Sequence, residues 1–216
     1  EAGYSDIKPL IKVGKKSIIE YVVEMFNKDD EFIFICNNDH LEKIPELTRV
    51  LNKIAPNGKI IGIEPHKMGP VHAILKAFDH IADAEEVVVN YCDFCCDWDF
   101  NEFKDFVHQN NLDGAIPSYR GFHPHTIWSN YYAYLKLEDN HLVDIQEKTP
   151  FTEDPRNEYA SSGTYYFKTG SILKKYASLC IEKNLHVNGE YYVSLVYKPM
   201  IDDGLKIGCF ELDHFM

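Results

Sequence analysis

Positive charge is what this sequence is short of: 22 lysines and arginines stand against 34 aspartates and glutamates in 216 residues, for a net charge of −12. The acidic residues are spread along the chain rather than gathered in a tail, which argues against a nucleic-acid backbone or an anionic membrane as the main partner. An anionic ligand would need local help from a cation, a metal ion or a helix N-terminus. Long apolar runs are missing too. None approaches the roughly 18 residues of a membrane span, and neither a signal peptide nor a transit peptide is visible. A regular cysteine spacing is missing as well, the six residues standing at positions 36, 92, 95, 96, 180 and 209. That distribution fits reduced thiols in a cytoplasmic protein without a membrane partner. Cys92, Cys95 and Cys96 make only half a zinc site, with no second pair at finger spacing, so they read as thiols packed beside a strand end.

Apolar residues at 45% and charged residues at 26% are ordinary for a globular chain able to bury a real core. No Pro/Gly/Ser-rich linker, repeat or low-complexity segment appears, so the economical reading is one domain over residues 1–216. The periodicity predicts helices at 17–26, 40–54, 68–81, 100–111 and 170–184, and strands at 31–36, 59–64, 85–93, 114–120, 161–168 and 205–215. Gly69 and Pro70 open the third helix favourably. A hairpin is expected over 130–148, turning at Glu138-Asp139-Asn140. Alternating strands and helices in the first half predict an α/β fold, a three-layer α/β/α sandwich around a mixed, mostly parallel sheet, with a smaller β-rich part after it.

Ligands of open α/β sheets bind at the carboxyl ends of the strands. The stretch VVVNYCDFCCDWDF at 87–100 carries a greasy strand into three aspartates. Asp93 falls at the strand's end and is the first candidate for a metal-binding carboxylate, since Mg²⁺ in phosphate chemistry is held by one or two carboxylates plus the substrate phosphates. Asp97 and Asp99 flank Trp98 beyond the strand and suit surface or N-cap positions for the next helix.

Several segments together resemble the sugar-phosphate nucleotidyltransferase family, of the GT-A-like NTP-transferase fold. DIKPLIKVGKKSIIEYVVEMF looks like the family's "KP-L-x-x-V-x-x-K-P-x-I-E-Y" segment, which implies that Lys8 contacts phosphate. MGPVHAILKAF is similar to its "x-G-x-A-x-A-L" helix start, where Gly69 and Pro70 would meet the nucleobase. YCD at 91–93 matches the strand-end aspartate, a Mg²⁺ ligand in the family. YAYLKLEDNHLVDIQEKTP and SSGTYYF look like the hairpin ending in "EKP" and the "G-x-Y-x-F" strand that hold the acceptor, which implicates Glu147, Lys148, Ser162 and Gly163. The proline of "EKP" is displaced to Pro150 by Thr149. NGEYYVSLVY offers Glu190 where the family often has a second metal ligand. The resemblance also implies a Gly-rich G-x-G-x-R loop just before Glu1; the sequence opens on EAGYSDIKPLIKV.

The resemblance implies a Mg²⁺-dependent enzyme with a nucleotide-binding half at 1–120 and an acceptor-binding half at 121–216. An NTP, with a pyrimidine favoured, would pass its NMP group to a sugar phosphate or related phosphorylated small molecule and release pyrophosphate, for surface or capsular polysaccharide synthesis. In GFHPHTIW, His123 and His125 sit where the acceptor pocket would begin, and imidazoles there suit an anionic or polyhydroxyl acceptor. Arg156 suits a bidentate grip on phosphate. The tyrosine-rich surface is compatible with a homodimer. Two other readings stay open at this point: a GT-A glycosyltransferase using a nucleotide sugar, with DWD at 97–99 as its metal motif in letters, and a non-catalytic regulatory relative.

Overall fold

The computed structural model describes residues 6–121 and 131–213. Near the start, Lys8–Leu10 forms a short 3₁₀ turn with Pro9 in its first positions, and Leu10 is buried beneath it. The strands β1 (Lys12–Val13) and β2 (Lys16–Ser17) pair antiparallel and lead into α1 (Ile18–Glu24). A capping box starts that helix, the Glu20 carboxylate accepting from the Ser17 amide at 2.7 Å. β3 (Ile33–Asn37), α2 (Asn38–Lys43), α3 (Pro45–Ile54) and β4 (Lys59–Ile63) follow. The helix expected over 40–54 is broken between Lys43 and Pro45, because proline disfavours the helical conformation of Ile44 before it. Leu10, Ile19, Val22, Leu47 and Leu51 pack as one buried cluster between these helices and β3–β4.

Further along the chain come α4 (Pro70–Lys76), β5 (Val87–Asn90), α5 (Phe100–Gln109), β6 (Gly114–Tyr119), β7 (Ala133–Glu138) and β8 (His141–Glu147). They are followed by β9 (Tyr159–Ser161), β10 (Thr164–Phe167), α6 (Gly170–Glu182), α7 (Tyr197–Asp202) and β11 (Ile207–Glu211). The helix expected to run through residue 81 stops at Lys76 and gives way to a 3₁₀ turn at Phe78–His80. The hairpin β7–β8 turns where expected, with Asp139 and Asn140 both at positive φ, 49° and 62°. Those values are what a tight hairpin turn demands and what Asp and Asn tolerate better than most residues.

Seven strands form one sheet in the order β11-β8-β7-β9-β6-β10-β5, and β11 also pairs with β6. The sheet is mixed, as expected, but its parallel share is small. Parallel pairing joins β11 to β6, and β3 to β4 in a separate two-stranded sheet, while the other main pairings are antiparallel. The reason lies in β10, which returns between β5 and β6 and runs against both. Alternation along β10 covers both faces of the sheet. Tyr165 and Phe167 enter a large cluster with Leu173, Tyr176 and Met200 from α6 and α7, whereas Tyr166 meets Phe103 and Val107 of α5 on the other side. β6 lies buried along its whole length. Tyr197 locks the layers together from below, its buried hydroxyl donating to the Tyr166 carbonyl at 2.7 Å.

The two sheets meet through side chains. Ile35 of β3 packs into the same cluster as Val87 and Val89 of β5, yet among the described residues no ladder joins these two strands. Among the described residues each pairs with a neighbour on one side only, β3 with β4 and β5 with β10.

Candidate active site

The carboxyl end of β5 is built by its own last residue. Asn90 donates to the carbonyls of Tyr91 and Phe94, at 2.8 and 3.1 Å, and accepts from the Thr164 hydroxyl. Phe94 N–H donates to the Tyr91 carbonyl, so residues 91–94 form a tight turn clamped from beneath. This turn holds Asp93 at the surface edge, where its carboxylate accepts from Lys8 Nζ at 2.9 Å. Lys8 arrives from the far end of the sequence, its backbone fixed by Pro9 and by the buried Leu10. The hydrogen bond to Asp93, and then the carboxylate's charge, raise the Lys8 ammonium above its ordinary range. Tyr132 lies close enough for the Asp93 charge to count. Burial first, and that negative charge second, push its phenol up.

Gly163 closes the other side of the turn. Its φ of 83° excludes most side chains, and a Cβ there would lie 2.8 Å from the Phe94 ring. Its carbonyl accepts from Tyr91 N–H at 3.2 Å. Ser162 beside it is buried, and its hydroxyl has no hydrogen-bond partner among the described residues.

A second polar group gathers at the end of β8. Glu147 is buried and accepts from the Ser194 hydroxyl at 2.6 Å, and desolvation raises its carboxyl above the usual range despite that bond. Lys148 adopts a φ of 59° and reaches the Tyr192 hydroxyl at 2.5 Å, and that hydroxyl donates in turn to Glu190. Tyr91 ties this group to the first one. Its ring packs on Phe94 and Tyr165, and its hydroxyl accepts from Val193 N–H at 3.4 Å.

Gly69 and Pro70 enter from the side. Gly69 has a φ of 83°, and a Cβ would stand 2.6 Å from the Tyr191 amide nitrogen. Tyr191 N–H donates to the Met68 carbonyl and Val71 N–H donates to the Tyr191 carbonyl. The residues singled out for the nucleotide are thereby seated against the segment that carries Glu190.

Arg156, singled out from sequence for phosphate, has a partner of its own. Arg156 is bound bidentately to Asp154 at 2.6 and 2.8 Å within its own turn. His123 and His125 lie outside the described residues. Asp99 caps α5, accepting from the amides of Asn101 and Glu102, while the Trp98 ring packs near Phe100 and Phe103. Asp99, one of the two aspartates of DWD, thus serves the start of a helix.

Among the described residues no three His, Cys, Asp or Glu side chains converge on a metal-sized site. Mg²⁺ in phosphate chemistry keeps several waters and takes one or two carboxylates together with substrate phosphates. Asp93, partly exposed at a strand end with a cation beside it, offers such a carboxylate.

The fold and the Lys8–Asp93 pair define an α/β protein of the class whose ligands bind outside the carboxyl ends of the sheet strands. The Nucleotidyl transferase family model matches residues 4–200, and the chain belongs to that family. The bifunctional protein GlmU of Clostridioides difficile (strain 630) is 23% identical over 206 residues, 94% of this chain and 42% of that protein. GlmU of Clostridium kluyveri is 24% identical over 211 residues, 95% of this chain and 43% of its own length. The chain thus spans less than half the length of these relatives. Among solved structures, a nucleoside-diphosphate-sugar pyrophosphorylase from Vibrio cholerae RC9 superposes with a TM-score of 0.77 at 16% identity, covering 98% of this chain and 86% of that one. A UDP-glucose pyrophosphorylase complexed with UDP-glucose gives 0.69 at 17% identity over 94% and 81%. At such identities the superpositions speak for the shared fold.

The residues that sequence reasoning missed are Asn90, Thr164, Tyr91, Ser194 and Tyr192. Asn90 carried a legible signal, a side chain suited to bonding its own backbone at the end of an apolar strand. Tyr192 and Ser194 carried none, because their partners lie 44 and 47 residues away in the chain.

Proposed function

We propose that the protein transfers an NMP group from an NTP, a pyrimidine nucleotide favoured, to a sugar phosphate or related phosphorylated acceptor, in the service of surface polysaccharide synthesis. The observation that carries this reading is the Lys8–Asp93 pair at the carboxyl end of β5, a cation and an anion brought together from 85 positions apart. A phosphate oxygen of the acceptor attacks the α-phosphorus, the bond from that phosphorus to the bridging oxygen breaks, and the electron pair leaves with pyrophosphate. Charge grows on the phosphoryl oxygens, so positioning and positive charge matter more than acid–base groups. Lys8 meets a phosphate oxygen once a ligand draws it away from Asp93. Asp93 would hold Mg²⁺, which supplies Lewis-acid charge to the phosphoryl group. Glu147, Lys148 and Gly163 face the acceptor, and Gly69 with Pro70 the base.

The test is pyrophosphate release by the full-length protein with each of CTP, UTP, dTTP, ATP and GTP, plus Mg²⁺. The acceptors are glucose 1-phosphate, glucosamine 1-phosphate, N-acetylglucosamine 1-phosphate and glycerol 3-phosphate. Release that needs one NTP and one acceptor supports the reading, and silence throughout, with turnover of a nucleotide sugar in its place, overturns it.

A further inference from the structure

Consecutive residues of extended backbone point to opposite faces, so Glu147, the last residue of β8, and Lys148 just beyond it would be expected to address different segments. They address one. The Lys148 amide donates to the Tyr132 carbonyl at 2.9 Å, just past the end of the ladder. Its φ of 59° then breaks the alternation, a conformation that costs a lysine side chain energy and marks an enforced geometry. Both side chains consequently land on residues 192–194. Ser194 binds Glu147, and Tyr192 takes Lys148 twice over, with its hydroxyl at 2.5 Å from Nζ and its ring centroid at 4.4 Å. The receiving segment is itself fixed. Val193 and Ser194 are fully buried, and the Val193 amide is held by the Tyr91 hydroxyl.

We propose that Tyr192 is a positioning residue for acceptor binding, holding the Lys148 ammonium in place before the acceptor arrives. The inference rests on the transferase reading above. A free lysine side chain loses much of its rotamer freedom on being fixed, and Tyr192 has taken up that loss in advance, which is the effect of preorganisation on affinity. An ammonium carries three N–H donors, so the bond to Tyr192 leaves others for the ligand. Glu190, accepting from Tyr192, orients the hydroxyl so that its lone pairs face Lys148.

Tyr192→Phe keeps the ring and removes the hydroxyl. With the NTP and acceptor that turn over in the panel above, the acceptor KM is expected to rise roughly ten- to a hundred-fold, the size of losing one hydrogen bond to a charged group. The KM for NTP should stay within about twofold. Combining Tyr192→Phe with Lys148→Met should add little to Lys148→Met alone, as coupled positions do. An unchanged acceptor KM, an equal rise in both KM values, or fully additive losses would overturn the proposal. A second measurement needs no turnover: acylation of Lys148 by an N-hydroxysuccinimide ester, followed by peptide mass spectrometry, should quicken several-fold in Tyr192→Phe. An unchanged rate sinks the inference by itself, whereas a wild-type protein silent in the NTP panel sinks the transferase reading and leaves the pinned lysine to be judged by this rate.

Discussion

Replacing Asp93 with asparagine separates a functional role for this carboxylate from a structural one. The shape is conserved and the charge is lost. In the folded protein Asp93 has one side-chain ion-pair partner among the described residues, Lys8, whose side chain is 75% exposed while that of Asp93 is 28% exposed. A pair so open to solvent contributes about 0.2–1 kcal/mol to stability. In a chain of this size 1 kcal/mol moves the thermal midpoint by roughly 2–4 °C. The backbone of the turn is held by Asn90 and Gly163, neither of which needs the Asp93 charge. The expected midpoint change is therefore a few degrees at most. Activity should respond on another scale. An amide offers no formal charge to a divalent cation, and losing several kcal/mol of transition-state stabilisation lowers kcat by roughly 10² to 10⁴, since each 1.36 kcal/mol is tenfold. The assay is single-turnover pyrophosphate release over a Mg²⁺ titration, with thermal unfolding run on the same preparations. A variant that keeps kcat within about threefold of wild type would refute the role given to Asp93. So would a loss of activity accompanied by a midpoint fall of ten degrees or more, because the carboxylate would then be part of the scaffold.

The other consequences are structural and equally open to measurement. Gly69→Ala places a methyl group against the Tyr191 backbone at a φ alanine rarely adopts, so a loss of roughly 1–3 kcal/mol is expected in chemical denaturation, with a weakened acceptor KM because Tyr192 is the next residue. Phe103→Ala empties a fully buried ring that faces Tyr166 and Phe210, and the expected cost is about 3–5 kcal/mol in the same measurement. Glu20→Ala removes the capping box of α1 and should cost on the order of 1 kcal/mol. The hydrogen bond from the Ser17 amide, then that from its hydroxyl, lower the Glu20 carboxyl below its ordinary value. Its contribution is therefore full above the ordinary carboxylate range and fades as pH falls through the lowered value. Wild type and Glu20→Ala should converge in stability in acid, and a gap that persisted there would refute the assignment.

The strand-end logic that singled out Asp93 needs only local information, an apolar run and the first carboxylate after it, and that carboxylate does stand in the turn that follows β5. The same logic correctly set Asp99 aside as a cap, since a helix start is also written in neighbouring residues. What the sequence concealed is contact between distant segments. β10 pairs Thr164 with Asn90, and that one antiparallel return both changes the parity of the sheet and supplies the hydroxyl that clamps the Asp93 turn. Nothing within ten residues of Thr164 announces it. Glu147 and Lys148 were visible as a pair, yet their common destination on residues 192–194 follows from a positive φ that lysine does not advertise. Glu190 shows that letters do not name a carboxylate's neighbours. Read as a carboxylate near a lid it suits a metal; in the fold it accepts from Tyr192, which holds Lys148. That bond engages one of its two oxygens, so a cation on Glu190 would compete with the tyrosine hydroxyl for the carboxylate's charge. If Glu190 were a metal ligand, Mg²⁺ would loosen Lys148 and acylation of that lysine would quicken on adding Mg²⁺ alone; if it is part of the acceptor cradle, the rate stays flat.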